Sequence, residues 1–267
     1  MIVFREQDHS YHNGSEQYRS VSSLIEPYKT FNKEAESLRM ALKHMDPEWY
    51  SELASKYGYK SPTLITDMLG VYARRDVDEV QEQILAEWAE KGNESRTSGT
   101  LFHQTMERAD IESGGRINPF TGEWHPLVDV RLKGYDNNSV EFLEDLQDGY
   151  YPELLLFNHE QKLCGQADMV FIKDRKIWID DWKTDAKVDM KSFYTKRYGY
   201  TFLKPPLDHV HDTNYWIYAL KISCYAWMLE EAGFDVEGTG FTHVGEENKL
   251  YRTPYMKDEL NKLLWTI

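Results

Sequence analysis

Residues 164–184 read C-G-Q-A-D-M-V-F-I-K-D-R-K-I-W-I-D-D-W-K-T. Val170-Phe171-Ile172 and Ile177-Trp178-Ile179 are β-branched and aromatic runs, and Lys173-Asp174-Arg175-Lys176 is the polar break between them. Such a pattern predicts two strands joined by a tight turn. With the turn centred between Asp174 and Arg175, residues whose numbers sum to 349 lie opposite each other. Asp168 then faces Asp181, and Gln166 faces Lys183. Because side chains alternate along a strand, Asp168, Asp181 and Lys183 are expected on one face, with Asp180 and Trp182 on the other.

Two carboxylates directly opposite each other repel and destabilise a hairpin. The arrangement makes sense around a divalent cation, and hard oxygen ligands suit Mg²⁺ or Mn²⁺. Lys183, two residues past Asp181, is placed to polarise an attacking water or to neutralise charge developing on a phosphate. The competing expectation is a surface hairpin with solvated acids. Trp178 and Trp182 flank these acids and speak against full solvation.

G-Q-A-D followed by I-D-D-W-K-T resembles the core of the PD-(D/E)xK nuclease superfamily in its RecB-like branch. That branch includes the mitochondrial genome-maintenance exonuclease, CRISPR-associated RecB-like nucleases and many phage exonucleases. Two more segments stand in the order this branch has. Ser98–Glu107, S-G-T-L-F-H-Q-T-M-E, resembles its G-T-x-x-H-x-x-x-E pattern, and Lys221-I-S-C-Tyr225 resembles its Q-x-x-x-Y with the Gln replaced. The matching segments run from about Ser98 to about Glu230, roughly half of the chain.

The resemblance implies an α/β, restriction-endonuclease-like core, a mixed central β-sheet flanked by helices, with a mainly helical N-terminal elaboration. The expected division is 1–97 for the elaboration and 98–267 for the nuclease core. The implied activity is hydrolysis of DNA phosphodiesters by a Mg²⁺- or Mn²⁺-dependent exonuclease. His103, Asp168, Asp181 and the Trp182 carbonyl would bind one or two ions. Lys183 would act on the water, and Glu153, ahead of the G-x-x-D strand, would lie near the metals. Lys221 and Tyr225 would approach the substrate. Glu107, one helical turn from His103, is either a packing acid or a partner of the ligands. A structure-specific or CRISPR-associated nuclease, or an inactive DNA-binding subunit, are the alternatives.

Composition adds bounds. The 267 residues, 41% hydrophobic and 14% aromatic, suffice for a full core. A net charge of −14 opposes long-range attraction of nucleic acid. Between Lys183 and Lys204, however, six Lys or Arg stand against two Asp. That stretch interleaves Lys187, Lys191, Lys196, Arg197 and Lys204 with Phe193, Tyr194, Tyr198, Tyr200 and Phe202. Cations for phosphates and rings for bases is how single strands are held, so Lys187 and Arg197 are candidate substrate contacts. Rings tucked into a core are the bland reading.

Cys164 and Cys224 are the two cysteines, expected as buried thiols in a reducing compartment, and two cannot hold a four-cysteine iron–sulfur cluster. With no signal peptide, presequence or long apolar run, a cytoplasmic protein of no membrane association is expected, whose partners are DNA and phage or host replication and recombination proteins.

The flanks are legible in outline. Asn13-Gly14 marks an N-terminal hairpin, and Ser23-x-x-Glu26 looks like a capping box. Helices are expected after Asn32, from Asp46-Pro47 to Gly58, from Ser61-Pro62, from about Asp76 to Gly92, and again from a Thr100 cap. Residues 112–138 read as an irregular insertion followed by a short helix near Ser139–Gln147. Tyr151–Phe157 is a buried strand, Asn214–Glu231 a helix, and two strands and a helix close the chain.

Overall fold

The computed structural model describes residues 2–5, 10–130 and 140–264. The chain divides into two compact units, one of residues 1–29, 102–194 and 200–267, the other of residues 30–101 and 195–199.

The first unit begins with strands β1 (Ile2–Arg5), β2 (Ser10–Asn13) and β3 (Glu16–Ser20), the last two joined through Gly14 at φ +62°. Only glycine enters that left-handed turn conformation without steric cost. A five-residue helix, α1 (Val21–Ile25), follows; its cap is Ser20, whose side chain accepts from Ser23 N, so Ser23 lies inside the helix rather than capping it.

Helices α2 (Lys33–Met45), α3 (Pro47–Tyr57) and α4 (Pro62–Leu69) form the second unit with the first part of α5 (Arg74–Ser113). Asn32 and Asp46 cap α2 and α3 by accepting from Ala35 N at 3.0 Å and Trp49 N at 2.9 Å, and Pro47 and Pro62 start α3 and α4 as expected. Leu42, Leu64, Met68 and Val77 are fully buried at the centre of this unit. Helix α5 corrects the expectation of two helices: its 40 residues run through Gly92, Gly99 and Thr100. A glycine costs a helix about 1 kcal/mol but does not by itself end it. Thr100 is therefore an interior residue, not a cap.

After α5 come the short hairpin β4 (Gly115–Ile117) and β5 (Trp124–Pro126), within the stretch expected to be irregular. Part of that expected insertion, residues 131–138, lies outside the described residues, and the helix expected near Ser139–Gln147 reduces to one 3₁₀ turn, Leu143–Asp145. Strands β6 (Gly149–Asn158), β7 (Leu163–Lys173), β8 (Lys176–Asp180) and β9 (Trp182–Lys183) then build the centre of the sheet. Helix α6 (Asn214–Glu231), β10 (Asp235–His243), β11 (Lys249–Thr253) and α7 (Lys257–Leu264) complete the unit.

The nine-stranded sheet runs β1-β2-β3-β7-β8-β10-β11, with β6 also on β7 and β9 also on β10. Pairing is parallel for β3–β7, β8–β10 and β9–β10 and antiparallel elsewhere, so the sheet is mixed. Helix α6 is the crossover that a parallel β8–β10 pair requires, and its Leu220, Cys224 and Met228 are buried in the sheet's main core. An α/β unit with a mixed central sheet flanked by helices is thus the architecture. Strands β1, β2 and β3 belong to that sheet, with β3 paired to β7, although they lie in the 1–97 segment expected as an elaboration. Among the described residues no helix is long and apolar enough to cross a membrane.

One close approach ties α6 to the sheet beside the acids. A Cβ on Gly165 would stand 2.7 Å from Tyr225 Cε1 and 3.1 Å from Val21 Cγ2. The glycine of G-Q-A-D is what lets Tyr225 lie against β7.

Candidate metal centre

The hairpin register is the one read from the sequence. Met169 pairs with Asp180, Val170 with Ile179, Phe171 with Trp178 and Ile172 with Ile177. The ladder stops there. Strand β8 ends at Asp180, and Trp182-Lys183 joins Thr242-His243 of β10 instead of β7. The alternation counted from the turn therefore does not carry across Asp181. Asp168 is bound to this divergence by its Oδ2, which accepts from Trp182 N at 2.7 Å. Gln166 does not face Lys183; it lies across from Leu155 of β6, and its Nε2 donates to the Glu153 carbonyl at 3.1 Å.

On the other edge of β7, Pro152 pairs with Met169 and Leu154 with Ala167, which puts Glu153 across from Asp168. Glu153 interrupts the ladder with φ +47°, a left-handed conformation that costs a non-glycine residue about 1 kcal/mol or more. The opposed carboxylates inferred from the sequence thus exist, but the partner of Asp168 is Glu153. Helix α5 brings His103 to the same place: Nδ1 lies 3.0 Å from Glu153 Oε1 and 3.5 Å from Asp168 Oδ1. His103, Glu153 and Asp168 each offer a ligand atom, all within 4.8 Å of one another. Phe102 and Met106 of α5 pack with Tyr150, Met169, Phe171 and Trp182 to hold the helix there. Below them, Asp110 accepts from Tyr150 OH at 2.6 Å and Arg116 Nε at 2.8 Å, and Arg116 lies over the Trp182 ring.

The electrostatics fit two acids held close. Burial and the charge of Asp168 push the Glu153 carboxyl upward against the stabilising contact with His103. Burial disfavours the charged imidazole of His103, but the Glu153 hydrogen bond and the Asp168 charge outweigh it, and its pKa is raised. Glu107 is half-buried on α5, and its charge adds to the upward push on Glu153.

Asp181 stands apart from this trio. Its Oδ2 is buried, accepts no hydrogen bond, and forms an ion pair with Lys183 Nζ. Lys183 also donates to the Trp182 carbonyl at 3.0 Å and sits 4.9 Å over the ring of Tyr218. Burial lowers its pKa, opposed by Asp168 and reinforced by the Lys221 cation. Lys221 is half-buried on α6, its pKa lowered by burial and then by Lys29. Tyr225 is buried over Gly165, and its phenol is pushed upward by burial and by Asp168. Tyr218, Lys221 and Tyr225 share one face of α6, as helical spacing dictates. Tyr218 OH donates to Asp185 Oδ2 at 2.5 Å, a contact the sequence does not announce.

Lys187 is exposed and paired with Asp189 at 2.9 Å, outside the trio. Arg197 belongs to the second unit, where its side chain lies against Gly58. The rings of the basic stretch are not tucked into a core. Phe193 is 80% exposed and Tyr194 56%. Tyr194, Tyr200, His211 and Phe202 form a continuous series with centroids 5.1, 5.0 and 4.8 Å apart. Cys164 and Cys224 are buried free thiols, each pushed up to about 12 by burial.

Asp180 points away from this chemistry into the protein. Its Oδ2 accepts from Thr242 Oγ1 at 2.6 Å and its Oδ1 from Asp181 N at 3.0 Å. Burial, only partly offset by the Thr242 hydrogen bond, raises its pKa from 3.8 to about 7. The folded protein therefore binds a proton more tightly than the unfolded chain, and stability is lost as pH rises from about 4 to about 7. In metal-free protein, Asp180→Asn is expected to shift the urea midpoint little at pH 4 and to stabilise at pH 8 by up to a few kcal/mol, the scale on which a buried carboxyl's proton affinity is linked to folding. An equal change at both pH values would show that Asp180 stays ionised when buried.

Compared with models of known protein families and with curated proteins, the sequence matches none.

Proposed function

We propose that this chain is a divalent-metal-dependent nuclease with a restriction-endonuclease-like core of the PD-(D/E)xK type. It hydrolyses DNA phosphodiesters in the cytoplasm, from strand ends, alongside phage or host replication and recombination proteins. The observation that carries the reading is the convergence of His103, Glu153 and Asp168 where β8 leaves β7, with Lys183 and Lys221 both feeling the charge of Asp168. Such a set departs from a stabilising one: a half-buried and a buried carboxylate are opposed, with one imidazole close to both.

The donor set fits Mg²⁺ or Mn²⁺, with carboxylate oxygens for either and an imidazole that favours Mn²⁺. His103, Glu153 and Asp168 would hold the ion, and Asp181 and the Trp182 carbonyl, both now engaged by Lys183, are the further oxygens at hand. When bound, the ion supplies Lewis-acid activation of the phosphoryl group and charge stabilisation. Lys183, anchored by Asp181 and by the ring of Tyr218, presents an ammonium that orients the attacking water and balances charge on the phosphate. Its partial desolvation strengthens that interaction. Lys221 adds a second cation where a Gln stands in the resembling family. The series Tyr194-Tyr200-His211-Phe202, whose Tyr and Phe rings are exposed, offers ring faces on which unpaired bases stack, which favours single strands or frayed ends.

The test is cleavage of linear and covalently closed DNA, single- and double-stranded, with Mg²⁺ or Mn²⁺. The expected result is loss of linear substrates and survival of closed circles. Equal cutting of circles would remove the exonuclease assignment, and no cleavage of any substrate would remove the nuclease.

A further inference from the structure

A cavity of about 380 Å³ lies beside β2, β3 and the start of α1, and Arg19, Gln17, Tyr11, Ser20 and Ser23 line it. Its wall is rich in hydroxyls, with one amide and one guanidinium, and carries no carboxylate among the described residues. In a chain of net charge −14 that composition is unusual. The other well-covered guanidiniums have acidic partners, Arg39 with Glu36 and Arg116 with Asp110. Arg19 is half-buried, and among the described residues its side chain has no ion pair or hydrogen bond. Its backbone is fixed, since Arg19 N donates to Lys162 O at 2.7 Å and Arg19 pairs with Leu163 in the sheet. A planar five-donor fork held on a rigid strand, without a carboxylate, is suited to bidentate recognition of phosphate.

The strand that carries Asp168 also runs past the cavity. Ser20 pairs with Cys164, and Asp168 lies four residues further along the same strand, roughly 13 Å at the rise of a β-strand. A stacked nucleic-acid strand covers that in about four nucleotides. Tyr11 lines the cavity and its phenol, raised to about 12 first by burial, also feels the charges of Cys164 and Glu153.

We propose that Arg19 and this cavity hold a phosphate of the DNA strand other than the one being cut. The proposal rests on the nuclease reading for its substrate, and its geometry is that of a second anchor setting how far the strand's end lies from the acids. The phosphate has two sources, a terminal monoester or an internal diester.

The test measures binding, in EDTA, of one short single-stranded DNA carrying a 5′-phosphate, a 3′-phosphate or hydroxyls at both ends. Wild type is compared with Arg19→Gln, Arg19→Lys and the exposed control Lys43→Gln on α2, with circular dichroism melts to verify folding. Arg19→Gln is expected to weaken binding roughly tenfold or more, Arg19→Lys to lose less, and Lys43→Gln to lose least. A loss confined to one phosphorylated end identifies a terminal monoester, and an equal loss on all three DNAs an internal diester. Folded Arg19→Gln protein that binds all three as wild type does overturns the proposal. Because binding is read without metal, that failure is distinct from failure of the nuclease reading, which would appear as Arg19-dependent binding with no cleavage once Mg²⁺ or Mn²⁺ is added.

Discussion

Asp168→Asn is expected to reduce DNA cleavage by roughly 10³-fold or more while the protein folds as before. Loss of a partner that merely supports a ligand costs about 10–100-fold in metal sites, and a ligand itself more. The fold should survive because Asn can still accept from Trp182 N through its carbonyl oxygen, as Asp168 Oδ2 does at 2.7 Å. Its amide would face Glu153 and His103, replacing a like charge with a donor. The metal-free variant should therefore melt at or above the wild-type temperature. Cleavage near the wild-type level, measured on linear DNA at saturating Mn²⁺, would remove Asp168 from the chemistry.

Lys183→Ala is expected to lower turnover by about 10²–10³-fold, the scale of losing one preorganised charge-stabilising donor. KM should change much less, since the interaction strengthens as charge develops. The substitution also frees the buried Asp181 carboxylate from its ion pair, so some loss of stability is expected in metal-free protein. Lys183→Met, which keeps an unbranched apolar chain in place of the lysine stem, should show the same kinetic loss with less destabilisation. An unchanged turnover with raised KM would mean that Lys183 only holds the substrate.

What can be read in advance follows the range of the interactions involved. The β7–β8 register is local: a polar four-residue break between two apolar runs leaves one pairing that keeps Ile172 with Ile177 and Val170 with Ile179. Helix starts at Asn32, Asp46 and Ser61 are legible for the same reason, through caps and prolines. The end of β8 is not. Asp180-Asp181-Trp182-Lys183 continues the strand pattern, and its departure from β7 is decided by β10, some sixty residues later, through Thr242 and His243. That one divergence redistributes the acids. It pairs Asp181 with Lys183, turns Asp180 inward to Thr242, and leaves Asp168 opposed to Glu153 across the other edge.

Glu153 is accessible through the resemblance but not through its own strand, where it looks like any acid at a strand's start. Its left-handed backbone, held by the Gln166 side chain, is a tertiary feature. The attachment of the N-terminal strands is hidden likewise, since β3 pairs with β7 across more than 140 residues of chain. His103 lies on a helix as its spacing predicts, but the helix begins at Arg74 rather than Thr100, because favourable residues around Gly92 and Gly99 outweigh two glycines.

The central claim is that His103, Glu153 and Asp168 together bind a divalent cation, and calorimetric titration of metal-free protein with Mn²⁺ measures it most directly. The account predicts saturable binding of one or two ions by the wild type, lost or weakened at least about tenfold in Asp168→Asn. Binding by folded Asp168→Asn indistinguishable from wild type, or no binding by the wild type at all, would contradict it.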